Sequence, residues 1–310
     1  MSRITLRALF GWAASAIALC AACLGNGAAD SLRVVVTIPP VSGIVQPLLP
    51  AGSTVKVLMA PGRSEHNYEF TPADMAAVGG ADLVVFVGAG LEPQVAKFLA
   101  SHPSPKRVDL NLADASGIKL EDEDKHDHKH EDSDHDHGGM DPHVWLDPVL
   151  VKEALPRLAK AVQAAMESRG EWNDGAKQRL DEALSNELKQ VDELNRAYQE
   201  RLGPFKGEKI VTHHAAFGRL AARYGLVVAE VIRMNEGEEP TPGRIAAIVQ
   251  AVRNEGVRTI FVEPQFDGAT AERIAKAAGV KVVTMDPLGD GDWFAMMRGN
   301  LDALMKGLHP

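Results

Sequence analysis

Two series of four short apolar runs constrain the fold of this chain more than any other feature of its sequence. Each run is four to seven residues long, and segments with a helical pattern separate successive runs. Such alternation indicates βαβ units, and runs that are apolar on both faces indicate parallel strands covered by helices. The runs are 33–38, 54–59, 82–88 and 107–110 in the first series, and 208–213, 226–232, 258–264 and 280–286 in the second.

A long amphipathic segment separates the two series. Its apolar residues recur in steps of three and four, which predicts a one-sided helix over about 172–202 that stops at Gly203-Pro204. A shorter helix is predicted over about 148–166 and a last one over about 292–306. We therefore expect an α/β protein with two parallel-sheet lobes, 30–168 and 204–310, joined by one long rigid helix within 169–203.

The first 29 residues are predicted to be an export signal. Two arginines precede an apolar run and then a small-residue stretch that ends at Ala29, a pattern typical of a cleaved signal peptide. Export would place the protein in the periplasm. Both cysteines, Cys20 and Cys23, lie within the signal, so the mature chain would contain no thiol. A lipoprotein anchored on Cys23 is the less favoured alternative, because Cys20 stands where a large aliphatic residue is expected.

An acidic, histidine-rich run interrupts the first lobe. Residues 121–137 contain nine carboxylates, two lysines and five histidines and no apolar side chain, which predicts a disordered loop over 121–139. The run carries −7 of the net charge of −9, and the near-neutral remainder has no basic stripe that would favour nucleic acid. The run is either a solvated acidic segment or an auxiliary site for weakly bound divalent metal. The candidate auxiliary ligands are His126, His128, His130, His135 and His137.

A second group of candidate ligands lies near the ends of predicted strands. His66 follows the second run, His143 lies in DPHVWLDP beyond the fourth run, and His213 and His214 follow the fifth. Asp286 closes the eighth. Ligands bind at the carboxyl edge of open α/β sheets, and three imidazoles with one carboxylate suit tetrahedral Zn²⁺. Each histidine taken alone has the simpler interpretation of a hydrogen bond to a backbone carbonyl.

The order of these motifs carries a family resemblance. The chain reads APGRSEHNYEFTP, then the acidic run, DPHVWLDP, VTHHAAFGRL, TIFVEPQF and VVTMDPLG. It resembles the zinc-binding solute receptors of bacterial ABC importers, the ZnuA type of the cluster A-I metal receptors. The resemblance implies a metal site in the cleft between the lobes and delivery of Zn(II), the transported ligand, to an inner-membrane ABC permease with its ATPase. Periplasmic zinc chaperones are further candidate partners, and a monomer is expected.

The resemblance also implies particular ligands. The aspartate of the family matches Asp286, and either Glu65 or a water molecule is the alternative to it as the fourth ligand. The third histidine is assigned to His214 because Phe217-Gly218 follows it at the family spacing, which leaves His213 behind the ligands or at the surface. Two departures are the absence of a cysteine pair in the second lobe and Arg219 where many members have an aromatic residue. The implied ligands are His66, His143, His214 and Asp286.

Three other functions compete with zinc transport. A manganese or iron receptor of the same family would replace one histidine with a carboxylate, because harder ions prefer oxygen. A periplasmic zinc buffer or adhesin would need no transporter. A zinc hydrolase could use Glu65 as general base, but no nucleophile or oxyanion donor accompanies the histidines in the sequence, so no enzyme activity is expected.

Overall fold

The computed structural model of the chain describes residues 31–60, 62–66, 68–118, 141–233 and 239–309. The predicted export signal and the histidine-rich run 121–137 lie outside the described residues. Within the described ranges, no helix combines the length and the apolar character needed to cross a membrane.

The first four apolar runs form one parallel sheet, as predicted. The strands are β1 (Arg33–Val36), β2 (Thr54–Val57), β3 (Leu83–Phe86) and β4 (Val108–Asn111), in the spatial order β2-β1-β3-β4. In the described part of this lobe the strands are accompanied by the helices α1 (Pro39–Val45), α2 (Pro72–Gly80), α3 (Pro93–Ser101) and α4 (Leu112–Ala115).

The second series repeats this arrangement in the other lobe. The strands are β5 (Lys209–Thr212), β6 (Val227–Val231), β7 (Thr259–Val262) and β8 (Lys281–Thr284), again parallel and in the order β6-β5-β7-β8. The helices are α7 (Gly218–Tyr224), α8 (Pro242–Asn254), α9 (Ala269–Ala278) and α10 (Trp293–Leu308). The prediction of two parallel-sheet lobes is confirmed.

The burial of the strands departs from the sequence expectation in one respect. The inner strands of each sheet are almost entirely buried, whereas β2, β4, β6 and β8 are mostly half-buried or exposed. These four lie at the sheet edges and have one neighbouring strand each. Apolar residues on both faces therefore indicate full burial only for the strands in the middle.

One long helix, α6 (Asp174–Leu202), connects the lobes, as predicted. It packs against α5 (Pro148–Ser168), which also packs against α4 and β4 of the first lobe. At about 1.5 Å per residue, the 29 residues of α6 extend for roughly 44 Å. The helix begins at Asp174, two residues later than predicted. The side chain of Asn173 caps it by accepting a hydrogen bond from the Ala176 amide. The predicted stop at Gly203-Pro204 is confirmed.

The two lobes share one apolar core. Two fully buried tryptophans bridge them: Trp145 Nε1 donates to the Pro287 carbonyl at 2.7 Å, and Trp293 Nε1 donates to the Trp145 carbonyl at 2.7 Å. Helix α1 approaches the second lobe so closely that a Cβ atom on Gly43 would collide with the backbone of Gly291 and Trp293. The interface between the lobes is therefore packed in the manner of a domain core.

Candidate metal centre

Four side chains from three separate segments converge at one point between the lobes. They are Glu65, His66, His143 and His214, and each offers one ligand atom within 4.8 Å of the others. The Nε2 atom of His143 lies 3.3 Å from Nε2 of His66 and 3.3 Å from Nε2 of His214. Glu65 Oε1 lies 3.6 Å from the Nε2 atoms of His143 and His214.

These separations match the edges of a tetrahedral zinc site. Bonds of about 2.0–2.1 Å place two nitrogens of a tetrahedron about 3.3–3.4 Å apart, because the edge is about 1.63 times the bond. Both imidazole pairs have this spacing, and the distances to the carboxylate are slightly longer. The buried Oε1 atom of Glu65 accepts no hydrogen bond within the described part of the chain, as befits a ligand oxygen.

The local fold explains how each ligand reaches this point. Glu65 and His66 lie in the loop that follows β2, and His214 lies two residues after β5. His143 directly precedes a 3₁₀ turn, Val144–Leu146, that leads into α5. Glu65, His143 and His214 are buried, whereas His66 is exposed and forms the solvent side of the group.

Carboxylates behind two of the imidazoles orient them. Asp141 Oδ1 lies 2.7 Å from His143 Nδ1, and Glu263 Oε1 and Oε2 lie 2.7 and 2.6 Å from His214 Nδ1. An ionised carboxylate can only accept, so Nδ1 of each ring donates and the ring can present the Nε2 lone pair to a metal. Such partners fix the ring orientation and raise the basicity of the ligand nitrogen.

Burial and hydrogen bonding give the four groups different pKa values. His66 keeps an exposed edge, but the part of its ring that packs into the group is desolvated, which lowers its pKa to about 4, so the ring is neutral at pH 7. Burial also opposes the charged form of His214, but the hydrogen bond to Glu263 and the negative charge of Glu65 outweigh it and raise the pKa to about 10. The pKa of Glu65 is lowered, because its interactions with His143 and His214 outweigh the effect of burial. The anionic donor is therefore ionised at neutral pH.

Asp286 lies two residues after β8, near the strand end as predicted, but outside this group. Its Oδ1 accepts hydrogen bonds from Gln265 Nε2 at 2.7 Å and from the Leu288 amide at 3.0 Å. The sequence ranked Asp286 slightly above Glu65 as the carboxylate ligand. The structure instead places Glu65 against the imidazoles.

His213 is buried rather than at the surface, and it does not join the group. Its ring packs against Phe266 with centroids 4.8 Å apart, and burial lowers its pKa to about 4. Of the other described histidines, His102 stacks on Phe98 and His309 contacts Phe205. The five histidines of residues 121–137 lie outside the described residues.

The carboxylates that support the imidazoles were not predicted from the sequence. Asp141 lies two residues before His143, and Glu263 directly follows β7, the strand that neighbours β5. They could have been predicted by looking for an acidic residue close in sequence to a candidate ligand, or at the end of the neighbouring strand. The structure also accounts for Arg219, whose Nε and Nη2 atoms donate to the Asp141 carbonyl at 3.0 and 2.6 Å.

Comparison with known proteins relates the chain to components of zinc uptake. Residues 34–307 match the family model ZnuA, described as the periplasmic zinc-uptake complex component A. The chain is 29% identical over 298 residues to the zinc-binding lipoprotein AdcA of Streptococcus pneumoniae, covering 92% of this chain and 58% of AdcA. It is 27% identical over 307 residues to the high-affinity zinc uptake system protein ZnuA of Bacillus subtilis, covering 94% and 93% of the two chains. The chain thus spans little more than half the length of its AdcA relatives.

Solved structures show the same fold. A crystal structure of ZnuA superimposes with a TM-score of 0.72 at 23% identity, covering 90% of this chain and all of that one. The Zn(II)-bound ZnuA-like domain of Streptococcus pneumoniae AdcA superimposes with a TM-score of 0.70 at 25% identity, covering 90% and 99%.

Proposed function

The chain belongs to the ZnuA family of zinc-uptake components, and from this premise we propose that it captures Zn²⁺ and delivers it to an ABC importer. The observation that carries the proposal is a group of three imidazole nitrogens and one carboxylate oxygen within 4.8 Å of one another, in which two nitrogen pairs have the 3.3 Å spacing of a tetrahedral zinc site. The proposed partners are an inner-membrane permease and its ATPase, with periplasmic zinc chaperones as further candidates. The proposed receptor acts as a monomer.

We assign the cargo site to His66, His143, His214 and Glu65. A set of three nitrogens and one oxygen favours Zn²⁺ over manganese or iron, which prefer more oxygen ligands. Cu²⁺ would bind such a set more tightly in a simple titration, so supply rather than affinity would exclude copper in the cell. Asp286 is left out of the set, because it is not among the described side chains whose ligand atoms lie within 4.8 Å of one another.

The family is one of transport receptors, and we propose that the chain is not an enzyme. A zinc hydrolase would use Glu65 to activate a water beside the metal. Glu65 Oε1 instead lies 3.6 Å from the Nε2 atoms of His143 and His214, close to the spacing of two ligands on one zinc ion. There it would occupy the fourth coordination position. That arrangement supports closed binding of a cargo ion, since a catalytic zinc keeps an open position.

Two proposals concern residues outside the described ranges. Export to the periplasm rests on the signal-like segment 1–29, with a lipoprotein anchored on Cys23 as the alternative. An auxiliary metal-binding role rests on the histidines of residues 121–137. A flexible segment must lose conformational entropy to hold an ion, whereas a preorganised site does not. We therefore expect residues 121–137 to bind ions more weakly than the cleft does.

The transport function predicts a growth phenotype. A strain of the source bacterium that lacks this protein should grow poorly when a chelator limits zinc, and either added zinc or the restored gene should correct the defect. Growth limited by manganese should be unaffected. Normal growth at limiting zinc would instead support the buffer or adhesin function, and a defect confined to manganese or iron limitation would support a receptor for those ions.

Zinc affinity is also expected to depend on pH. His214 has a pKa raised to about 10, so the metal-free site holds a proton there at neutral pH and Zn²⁺ must displace it. Each displaced proton lowers the apparent affinity about tenfold per unit fall in pH, and we expect at least this slope between pH 8 and pH 6. His66 has a pKa of about 4, so it carries no proton between pH 8 and pH 6 and does not contribute to this pH dependence.

The measurement is competition with a chelator whose own protonation is known, with circular dichroism to check that the fold persists. An affinity that stays constant from pH 8 to pH 6 would show that no imidazole proton is displaced.

A further inference from the structure

The short segment 141–147 precedes α5 and belongs by sequence to the first lobe, yet the second lobe holds it. It contains the ligand His143 in the middle of DPHVWLD. Its neighbour in the second lobe is α7, the helix that begins four residues after the ligand His214. The contacts of this segment therefore determine how two of the ligands are placed relative to each other.

Arg219 of α7 holds one end of the segment. Its Nε and Nη2 atoms donate to the Asp141 carbonyl at 3.0 and 2.6 Å, and Nε lies 3.4 Å from the Asp141 carboxylate. The same carboxylate accepts from His143 Nδ1 at 2.7 Å and from the His143 amide at 2.9 Å. Arg219 thus fixes the residue that orients the His143 ring.

Arg223 holds the other end. It follows Arg219 by four residues, so both side chains project from the same face of α7. Its Nε donates to Asp147 Oδ2 at 2.8 Å and its Nη2 lies 2.7 Å from the same oxygen. The Asp147 side chain is buried and also caps α5 by accepting from the Val149 amide.

The middle of the segment is fixed to the same lobe. Trp145 donates to the Pro287 carbonyl and accepts from Trp293, and the side chains from Val144 to Leu146 are fully buried. In contrast, Gly62, Arg63 and His66 of the loop after β2 are exposed. Two ligands are therefore anchored in one packed unit, and the other two reach the site from a loop with less burial.

We infer that Arg219 and Arg223 are positioning residues that fix the His143 segment to the second lobe, so that His143 and His214 form a preformed pair. Glu65 and His66 complete the site from the first lobe. This inference rests on the proposed zinc function of the site. Partners that orient a ligand typically contribute about 10- to 100-fold in metal affinity, because they remove the cost of ordering the ring.

The test is the zinc affinity of Arg219→Met, measured by competition with a chelator. We expect the zinc affinity to fall about tenfold. This is the low end of the range for groups that support a metal ligand, because Arg219 acts on His143 only through Asp141. Arg219→Lys should recover only part of the affinity, because an ammonium cannot reproduce the fork of the guanidinium. Arg223→Met should weaken zinc binding in the same direction.

Arg244→Met is the matched control. Arg244 also donates to a carboxylate and a carbonyl, those of Glu230 and Val231, but it contacts neither the segment nor a ligand in the described structure. Its removal should leave zinc affinity within about twofold of wild type, whereas general loosening of the second lobe would affect both variants. Thermal unfolding of the zinc-free proteins checks that each variant folds. If Arg219→Met does not fold, the same comparison is made with Arg219→Lys.

Two further measurements separate positioning from simple stabilisation. The visible spectrum of the Co²⁺-loaded protein reports ligand geometry and should change in Arg219→Met but not in Arg244→Met. In a His143→Ala background, Arg219→Met should cause no further loss of affinity, because Arg219 acts through the missing ring. A full, additive loss in that background, or unchanged affinity and spectrum in the single variant, would overturn the inference. Weak zinc binding by the wild-type protein would instead refute the proposed function itself.

Discussion

The His143→Ala variant should bind Zn²⁺ about 100- to 1000-fold more weakly than the wild-type protein. Zinc held by four protein ligands gains about 10–16 kcal/mol, or roughly 2.5–4 kcal/mol per ligand, and each 1.4 kcal/mol is a tenfold change in affinity. His143 is central to the group, since its Nε2 lies 3.3 Å from the Nε2 atoms of both other imidazoles. Its removal should therefore be as damaging as the loss of any single ligand.

The affinity of His143→Ala is best measured by chelator competition at pH 7.5 and compared with that of His102→Ala. His102 stacks on Phe98 outside the metal group, so its replacement should leave zinc binding unchanged. Circular dichroism and thermal unfolding without zinc show whether both variants keep the fold. A His143→Ala protein that is folded and binds zinc as tightly as the wild type would remove this histidine from the site.

The Glu65→Gln variant should lose about 100-fold in zinc affinity, near the lower value expected for one ligand. Glutamine has nearly the same shape but lacks the anionic oxygen, so the change isolates the charge and basicity of the donor. Asp286→Asn is the matched control, because it makes the same chemical change in a carboxylate bound to Gln265 and the Leu288 amide. We expect its affinity to remain within about threefold of wild type.

The two carboxylate variants are measured in the same chelator competition. A large loss in Asp286→Asn with little change in Glu65→Gln would restore Asp286 as the fourth ligand. Comparable losses in both would mean that both carboxylates reach the ion.

The strands and long helices of this chain could be predicted because their signals are local. Runs such as RVVVTI and TIFV form strands through their own apolar pattern, and each lies within or one residue beyond its predicted range. The stop of α6 at Gly203-Pro204 is equally local. The ends of the strands indicated a wider group of candidate ligands, since the carboxyl ends of parallel strands meet at one edge of a sheet, but the choice of His66, His143 and His214 came from the family resemblance.

The fourth ligand and the groups behind the imidazoles could not be ranked from the sequence. Glu65 and Asp286 both follow strands and both are carboxylates, and only the packing of the lobes decides which one faces the imidazoles. The contacts of Glu263 with His214 and of Arg219 with Asp141 join residues 49 and 78 positions apart. Such pairings depend on tertiary packing, which no local pattern encodes.

The tryptophan bridge between the lobes determines when the chain can finish folding. Trp145 contacts Pro287 and Trp293, residues 142 and 148 positions later, and α1 packs against α10. Nearly the whole chain must therefore be available before the buried tryptophan finds its partners, and contacts between such distant residues form slowly. The first lobe cannot complete its core ahead of the second, so the segment that carries His143 is fully held only once α10 is in place.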